Sequence, residues 1–347
     1  MFIDGNGMTP KTDGPSGREI LDMEWPAPLV SMEAIATHAP WLAESSAIVL
    51  AFAPPRLIDV ATLVTSQENA CRFCYGALRA AMRISGYSDT QIRDLERDVQ
   101  LADGLTREVV SLSRKLARSS PRPVREELAA LLSHGLDAKA AAEIVFVIAS
   151  SCFFNRIGTF LALPPERRLE RSAETGIGRL IGSIVMRASH KTTRKAGPST
   201  PVVAEGVLAP LIRELPDAPI AAWFARLLGN CFGSPALPRR TKLLILAVVA
   251  RTLGCHFCED AAQVELQETG LDRNEFMRIL ETLSGPELTP ADARVLDWAR
   301  ETVHYETGLI QKRTRALAGT VGVGVLLEAV ATAAVSNTAV RLAMLLE

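Results

Sequence analysis

Two short motifs in this sequence have the residue types and spacing for thiol chemistry: Cys71-Arg-Phe-Cys74 and Cys255-His-Phe-Cys258. Cysteines at i and i+3 lie on one face of a helix, which suits a disulfide across a single turn. At a helix N-terminus the partial positive charge favours the thiolate, and the thiolate is the nucleophilic form. Arg72, Arg79 and Arg83 would add positive charge around the first pair. Glu259 and Asp260 follow the second pair and would oppose ionisation there, while His256 would assist it, so the first pair reads as the better activated. Two other uses of the motif stay open. The cysteines can serve as small buried apolar side chains, or bind zinc as a four-cysteine site if the two pairs meet in space. Covalent haem is excluded, because Tyr75 and Glu259 stand where that motif needs histidine. A thioredoxin-like site would need strands around the motif, and no alternating strand pattern is visible. His38, His134, His190, His256 and His304 form no metal-ligand spacing, and neither metal nor cofactor is expected. Cys152 beside Phe153 and Phe154, and Cys231 near Trp223 and Phe224, read as core residues.

The elements that must hold these cysteines are written twice. The two pairs are 184 residues apart, and a glycine stands twelve residues after each second cysteine, Gly86 and Gly270. Ser88-x-x-Gln91 and Asp272-x-x-Glu275 come next, both fitting the capping box that satisfies free N–H groups at a helix start. Leu116-Ala117-Arg118 then matches Trp298-Ala299-Arg300, and Glu143 precedes Arg156 by 13 residues as Glu328 precedes Arg341. Each copy predicts a helix opening near Pro55 or Pro238 and a break at Asn69 or Gly254. A second helix begins with the cysteine pair, and Gly86 or Gly270 ends it. A third starts at the capping box, and a long last helix runs over about 137–161 or from about 325 to the C-terminus. The expectation is an all-α fold of two similar helical domains, 26–188 and 205–347, with a loose segment at 1–25 and a linker at 189–204.

Composition agrees with a packed helical protein. Of 347 residues, 48% are hydrophobic and 5% aromatic, mostly Ala, Leu and Val among the apolar ones, which disfavours a β-sandwich and excludes a mainly disordered chain. Lys plus Arg is 38 against 39 Asp plus Glu, so no basic excess exists to neutralise nucleic-acid phosphates. The N-terminus has no secretory pattern, and no apolar run reaches the ~20 residues that cross a bilayer, so the protein is expected in the cytoplasm and off the membrane.

The apolar helix followed by Cys-x-x-Cys opening a second helix resembles the alkylhydroperoxidase D / carboxymuconolactone decarboxylase family. So does the late element Asn155-Arg156, or Asn337-Thr-Ala-Val-Arg341 in the second copy. The resemblance covers roughly 35–165 and 205–347, a tandem pair. It implies an all-α fold that assembles into homo-oligomers. It also implies a cysteine pair that reduces a small-molecule hydroperoxide and is re-reduced by a thiol reductant protein. Cys71, Cys74, Cys255 and Cys258 would be the thiols, with the order of attack left open. The peroxidase pattern also places a glutamate twelve residues before the first cysteine and a histidine four after the second. Here those positions are Asp59 and Leu78 in the first copy, and Leu243 and Ala262 in the second. Leucine and alanine cannot relay protons, so Asp59, or Glu68 three residues before Cys71, is the remaining candidate base. The alternatives are a non-catalytic scaffold or regulator on the same fold, and a decarboxylase-like enzyme of a specialised pathway.

Overall fold

A computed structural model of the chain describes residues 15–45, 48, 50–97, 104–118, 121, 124–176, 178–179, 206–215 and 218–344. No strand occurs among them, and the fold is all-α. The first half runs through α1 (Gly17–Asp22), α2 (Met32–His38), α3 (Trp41–Glu44), α4 (Pro55–Glu68), α5 (Arg72–Ile84) and α6 (Asp89–Arg97). It continues with α7 (Gly104–Ala117), α8 (Arg125–Ser133), α9 (Ala138–Phe160) and α10 (Arg167–Glu174). The second half contains α11 (Ala209–Glu214), α12 (Ala218–Gly233), α13 (Arg239–Leu253), α14 (His256–Glu268) and α15 (Arg273–Thr282). After these come α16 (Pro290–Glu301), a 3₁₀ turn at Thr302–His304, α17 (Thr307–Ala318) and α18 (Val323–Ala343). The linker expected at 189–204 lies outside the described residues.

The punctuation expected from the sequence does its local work. Pro55 starts α4 without losing a needed N–H, and Gly86 and Gly270 adopt φ of +98° and +91° just past α5 and α14. Ser88 and Gln91 exchange backbone and side-chain hydrogen bonds before α6, and Asp272 and Glu275 do the same at α15. The segment read as loose at 1–25 is ordered from Ser16 onward. Ser16 and Glu19 form a capping box, and the buried Ile20 of α1 packs with Tyr75, Met82 and Ile92.

α9 and α18 are apolar on every side, as fully buried helices must be. They are 23 and 21 residues long, enough by length and hydropathy to cross a membrane, but they pack against each other at the centre of the molecule. Around them the halves repeat one set of contacts. α4 packs on α5, α6, α7 and α9, and α13 packs in the same way on α14, α15, α16 and α18. The halves are also joined directly: Trp223 Nε1 donates to Ser45 O at 2.7 Å, and the rings of Phe160 and Trp298 meet edge to face at 5.7 Å.

A buried glutamate ties each long helix to the start of its hairpin, and Arg341 ties α18 to the first half. Glu143, fully buried on α9, accepts the backbone N–H groups of Ala51, Phe52 and Ala53 at 2.7, 2.9 and 2.6 Å, just ahead of α4. Glu328 on α18 accepts from Ala236 and Leu237 at 2.9 and 2.7 Å, just ahead of α13. Arg341 reaches from α18 to the carbonyl oxygens of Leu116, Ala117 and Arg118 at the end of α7, at 3.0, 3.3 and 2.9 Å. Burial lowers its pKa to about 10.

Glu328 is also held at 2.7 Å by Lys242, and both side chains are buried. Burial pushes the Glu328 carboxyl up, but the Lys242 hydrogen bond and the two N–H groups outweigh this and leave it below the usual carboxylate range. Glu328→Ala should therefore cost ~3–5 kcal/mol in urea unfolding, because it leaves a buried ammonium without its counter-ion. Lys242→Met combined with Glu328→Gln should recover most of that loss. A depressed folded pKa stabilises fully above the unfolded pKa and less as pH falls through the folded value. The cost of Glu328→Ala should accordingly shrink in acid.

Candidate active site at the first cysteine pair

A tight turn after α4 delivers the first pair. Ala70 takes φ of 44°, its N–H bonds Gln67 O, and the Cys71 N–H bonds Ser66 O at 3.1 Å. Cys71 is thereby the N-cap of α5, and its Sγ accepts the Cys74 backbone N–H at 3.3 Å. The second pair is built alike: Cys255 caps α14 and accepts from the Cys258 N–H at 3.4 Å. All four are buried and none is joined in a disulfide. The two pairs stand on separate hairpins, and among the described residues no group of three or more potential ligands could hold a metal ion.

Hydrogen bonding divides the first pair into unlike partners. Burial pushes the Cys71 thiol up, but hydrogen bonds from the Cys74 side chain and backbone, the Thr159 hydroxyl and the Phe73 N–H outweigh it and hold Cys71 below the ordinary thiol range. Burial and the adjacent Cys71 drive Cys74 well above that range. Cys71 is therefore the more readily ionised sulfur of the pair and Cys74 the less. The flanking arginines, expected to supply positive charge, are each matched by a carboxylate. Arg72 forms a two-pronged pair with Glu170 at 2.7 and 2.8 Å, Arg79 pairs with Glu96 at 2.6 Å, and Arg83 pairs with Asp89 at 2.7 Å. Glu259, expected to oppose the second pair, is likewise matched by Arg251 at 2.5 Å. The local effect on Cys71 comes from the Cys74 side chain, the N–H groups at the start of α5 and Thr159.

α9 forms the wall facing the thiols. A Cβ on Gly158 would lie 3.2 Å from Cys71 Sγ and 3.4 Å from Cys74 Sγ, so only a bare backbone fits there without displacing the sulfurs. Asn155 Oδ1 accepts from Asn69 Nδ2 at 2.9 Å, and Asn155 Nδ2 donates to Ser66 Oγ at 3.0 Å. Asn69 Nδ2 also approaches Cys152 Sγ at 3.5 Å, which ties this cysteine to the same network. From the second half, Tyr305 places its hydroxyl 2.7 Å from Thr159 Oγ1 and 3.0 Å from Asn155 O. Arg156 stacks over the Tyr305 ring at 4.8 Å, and among the described residues its buried Nε and Nη2 have no hydrogen-bond partner.

The candidate bases stand elsewhere. Asp59 lies on the second turn of α4, nine residues before its end, or ~14 Å along the axis at 1.5 Å per residue. It is set against Tyr87, whose hydroxyl is pushed up to about 12 by burial and by this carboxylate. Glu68 is paired with Arg114 at 3.3 Å. Leu78 packs beside Tyr75 and Met82, while Leu243 and Ala262 lie in the main core.

The second pair lies in apolar surroundings. Its offset of 184 puts Ala250 and Leu253 where Ser66 and Asn69 stand, and the offset of 185 on the long helix puts Val340, Ala343 and Met344 where Asn155, Gly158 and Thr159 stand. Cys255 and Cys258 belong to the hydrophobic core together with Val340 and Met344, whereas Cys71 and Cys74 do not. Sequence reasoning missed Ser66, Asn69, Gly158, Thr159 and Tyr305. A glycine inside a long apolar helix, one residue before a threonine and three after Asn155, was the available signal for part of this set. Tyr305 gave none.

The model of the carboxymuconolactone decarboxylase family matches residues 218–301, which span α12 to α16 and include the second cysteine pair. No curated protein and no solved structure matches the chain.

Gly158→Ala separates stability from reactivity. Alanine is worth ~1 kcal/mol over glycine in a helix interior, enough to offset much of the ~1–3 kcal/mol of overpacking, so Tm should move little. The sulfurs must shift by a few tenths of an ångström, and the rate of oxidant-driven Cys71–Cys74 disulfide formation should fall about tenfold, less than the ~100-fold that a 1 Å misplacement brings. An unchanged rate with unchanged Tm would show that α9 does not set the thiol geometry.

Proposed function

We propose, from the match of residues 218–301 to the model of the carboxymuconolactone decarboxylase family, that the chain is a two-copy member, 26–188 and 205–347, whose first copy reduces hydroperoxides with the Cys71–Cys74 pair. The observation that carries this reading is the division of labour within that pair. One sulfur, at the N-cap of α5, is held below the ordinary thiol range by the Cys74 side chain, by N–H groups and by Thr159, and its neighbour three residues on is driven above that range. That is the state a two-thiol reductant needs before it meets its oxidant.

The Cys71 thiolate attacks the terminal oxygen of the hydroperoxide. The O–O bond breaks, the alcohol leaves after taking up one proton, and Cys71 becomes a sulfenic acid. The Cys74 thiol then attacks that sulfur. The S–S bond forms, and water leaves with the sulfenic oxygen and the thiol proton. Together two thiols and ROOH become a disulfide, ROH and water. A dithiol on a reductant protein returns the pair to thiols by exchange and is itself oxidised to a disulfide. No cofactor takes part. Burial of both sulfurs, with Cys74 only 9% exposed, favours small hydroperoxides. Cys255 and Cys258, set in the hydrophobic core, serve as packing in a structural second copy.

The test is peptide mapping of protein alkylated before and after one equivalent of an organic hydroperoxide. Cys71–Cys74 should convert to a disulfide while Cys152 and Cys231 stay reduced. Cys71→Ser and Cys74→Ser should each abolish the conversion, and Cys255→Ser with Cys258→Ser should retain most of it. Because the Cys71 pKa is lowered, its thiolate persists to lower pH, so the oxidation rate should reach half-maximum below the ~8.5 of an ordinary thiol. Six thiols that stay free and unreactive would leave the fold as a non-catalytic scaffold.

A further inference from the structure

The histidine that the peroxidase pattern places near the thiols is absent, yet Cys71 is not without polar support. Thr159 follows Gly158, whose added Cβ would lie 3.2 Å from the Cys71 sulfur, and its hydroxyl is among the groups that lower the Cys71 pKa. The Thr159 hydroxyl in turn lies 2.7 Å from the hydroxyl of Tyr305, which comes from the connection between α16 and α17 in the other half of the chain. Tyr305 holds φ of 38°, in the left-handed region that few non-glycine residues adopt, and its phenol reaches back onto α9.

The geometry points to Cys71, Thr159 and Tyr305 forming a reversible hydroxyl chain, in which Tyr305 is a positioning residue that stabilises the Cys71 thiolate from the second half. The Tyr305 hydroxyl has two acceptors in reach, Thr159 Oγ1 and Asn155 O, the latter at 3.0 Å. While Cys71 is a thiol, its S–H donates to Thr159, Thr159 donates to Tyr305, and Tyr305 donates to Asn155 O. Once Cys71 is a thiolate, the chain reverses. Tyr305 then donates to Thr159, and Thr159 donates to sulfur. Asn155 O keeps its own helix bond in both states, so neither arrangement strands a buried donor. Burial and the nearby cysteine sulfurs keep the phenol well above its usual pKa, so it remains a donor.

The charged and titratable groups facing this chain are few. Cys74 comes from α5, Arg156 from α9 lies over the phenol ring, and Arg341 from α18 stands behind it. Arg72 beside Cys71 is paired with Glu170. The guanidinium over the ring draws electron density from the phenol and strengthens it as a donor. At the positions that match by offset, the second half carries different residues. The matching connection, 118–124, reads Arg-Ser-Ser-Pro-Arg-Pro-Val and contains no tyrosine, and Met344 occupies the place of Thr159.

This inference deepens the peroxidase reading, but its test needs no peroxide. The thiolate absorbance of the reduced protein is titrated against pH, and the part that Cys71→Ser removes is assigned to Cys71. Tyr305→Phe keeps the ring over Arg156 and removes only the hydroxyl. It should raise the Cys71 midpoint by about one unit, a tenfold loss of thiolate between the two midpoints. Thr159→Val should do the same with Tyr305 intact, and Thr159→Ser should restore the wild-type midpoint. If Tyr305→Phe does not fold by circular dichroism, the Thr159 pair of variants decides. A folded Tyr305→Phe that titrates like the wild type overturns the inference, as does a Thr159→Ser that behaves like Thr159→Val. A wild-type pair that titrates as described but forms no disulfide with hydroperoxide would instead overturn the peroxidase reading.

Discussion

A buried carboxylate on each long central helix holds the rest of the molecule in place. Glu143 and Glu328 accept the N–H groups of the chain just before α4 and α13, groups that lie at the approach to a helix and have no helical partner of their own. Each carboxylate thus fixes where a hairpin begins relative to the core. The cysteines sit at the far end of that hairpin, so their position against α9 or α18 follows from this anchor and from packing of the helix between. Burying such a group is tolerable only because its oxygens are fully used.

On this common frame the two cysteine pairs meet different walls. α9 offers Asn155, Gly158 and Thr159 to the first pair, whereas the register of α18 offers Val340, Ala343 and Met344 to the second. The same N-cap geometry therefore sets one pair beside polar side chains and the other within the main hydrophobic cluster. Helix N-termini alone do not make the difference, since both pairs have one. The difference lies in a few side chains on the facing helix and in one tyrosine brought across the α9–α17 contact.

That tyrosine also makes the halves unequal in what they need from each other. The second half donates Tyr305 to the first site, while Arg341 of the second half holds the end of α7 in the first. The first pair is complete only when both halves are folded and docked.

Much of the frame was legible in the chain. Pro55, Gly86, Gly270, the capping boxes and the repeated cysteine spacing act over at most a few turns of helix, and their physics is the same wherever they occur. The Glu143–Arg156 and Glu328–Arg341 pairs were visible as a recurring interval, although the glutamates were not visible as anchors, because their partners are backbone groups about 90 residues away that carry no side-chain signature. The arginines near Cys71 and the acids near Cys255 misled, because charge in sequence does not show its counter-ion, and Glu170, Glu96, Asp89 and Arg251 neutralise them in space. Sequence alone determined the helices, the repeated cysteine spacing and the placing of each cysteine pair at a helix start. Only the tertiary structure decided which polar groups gather beside the first pair. That depends on contacts such as the 2.7 Å hydrogen bond from Tyr305, in a turn more than two hundred residues after Cys71, to Thr159 of α9, and no periodicity within one segment encodes such a meeting.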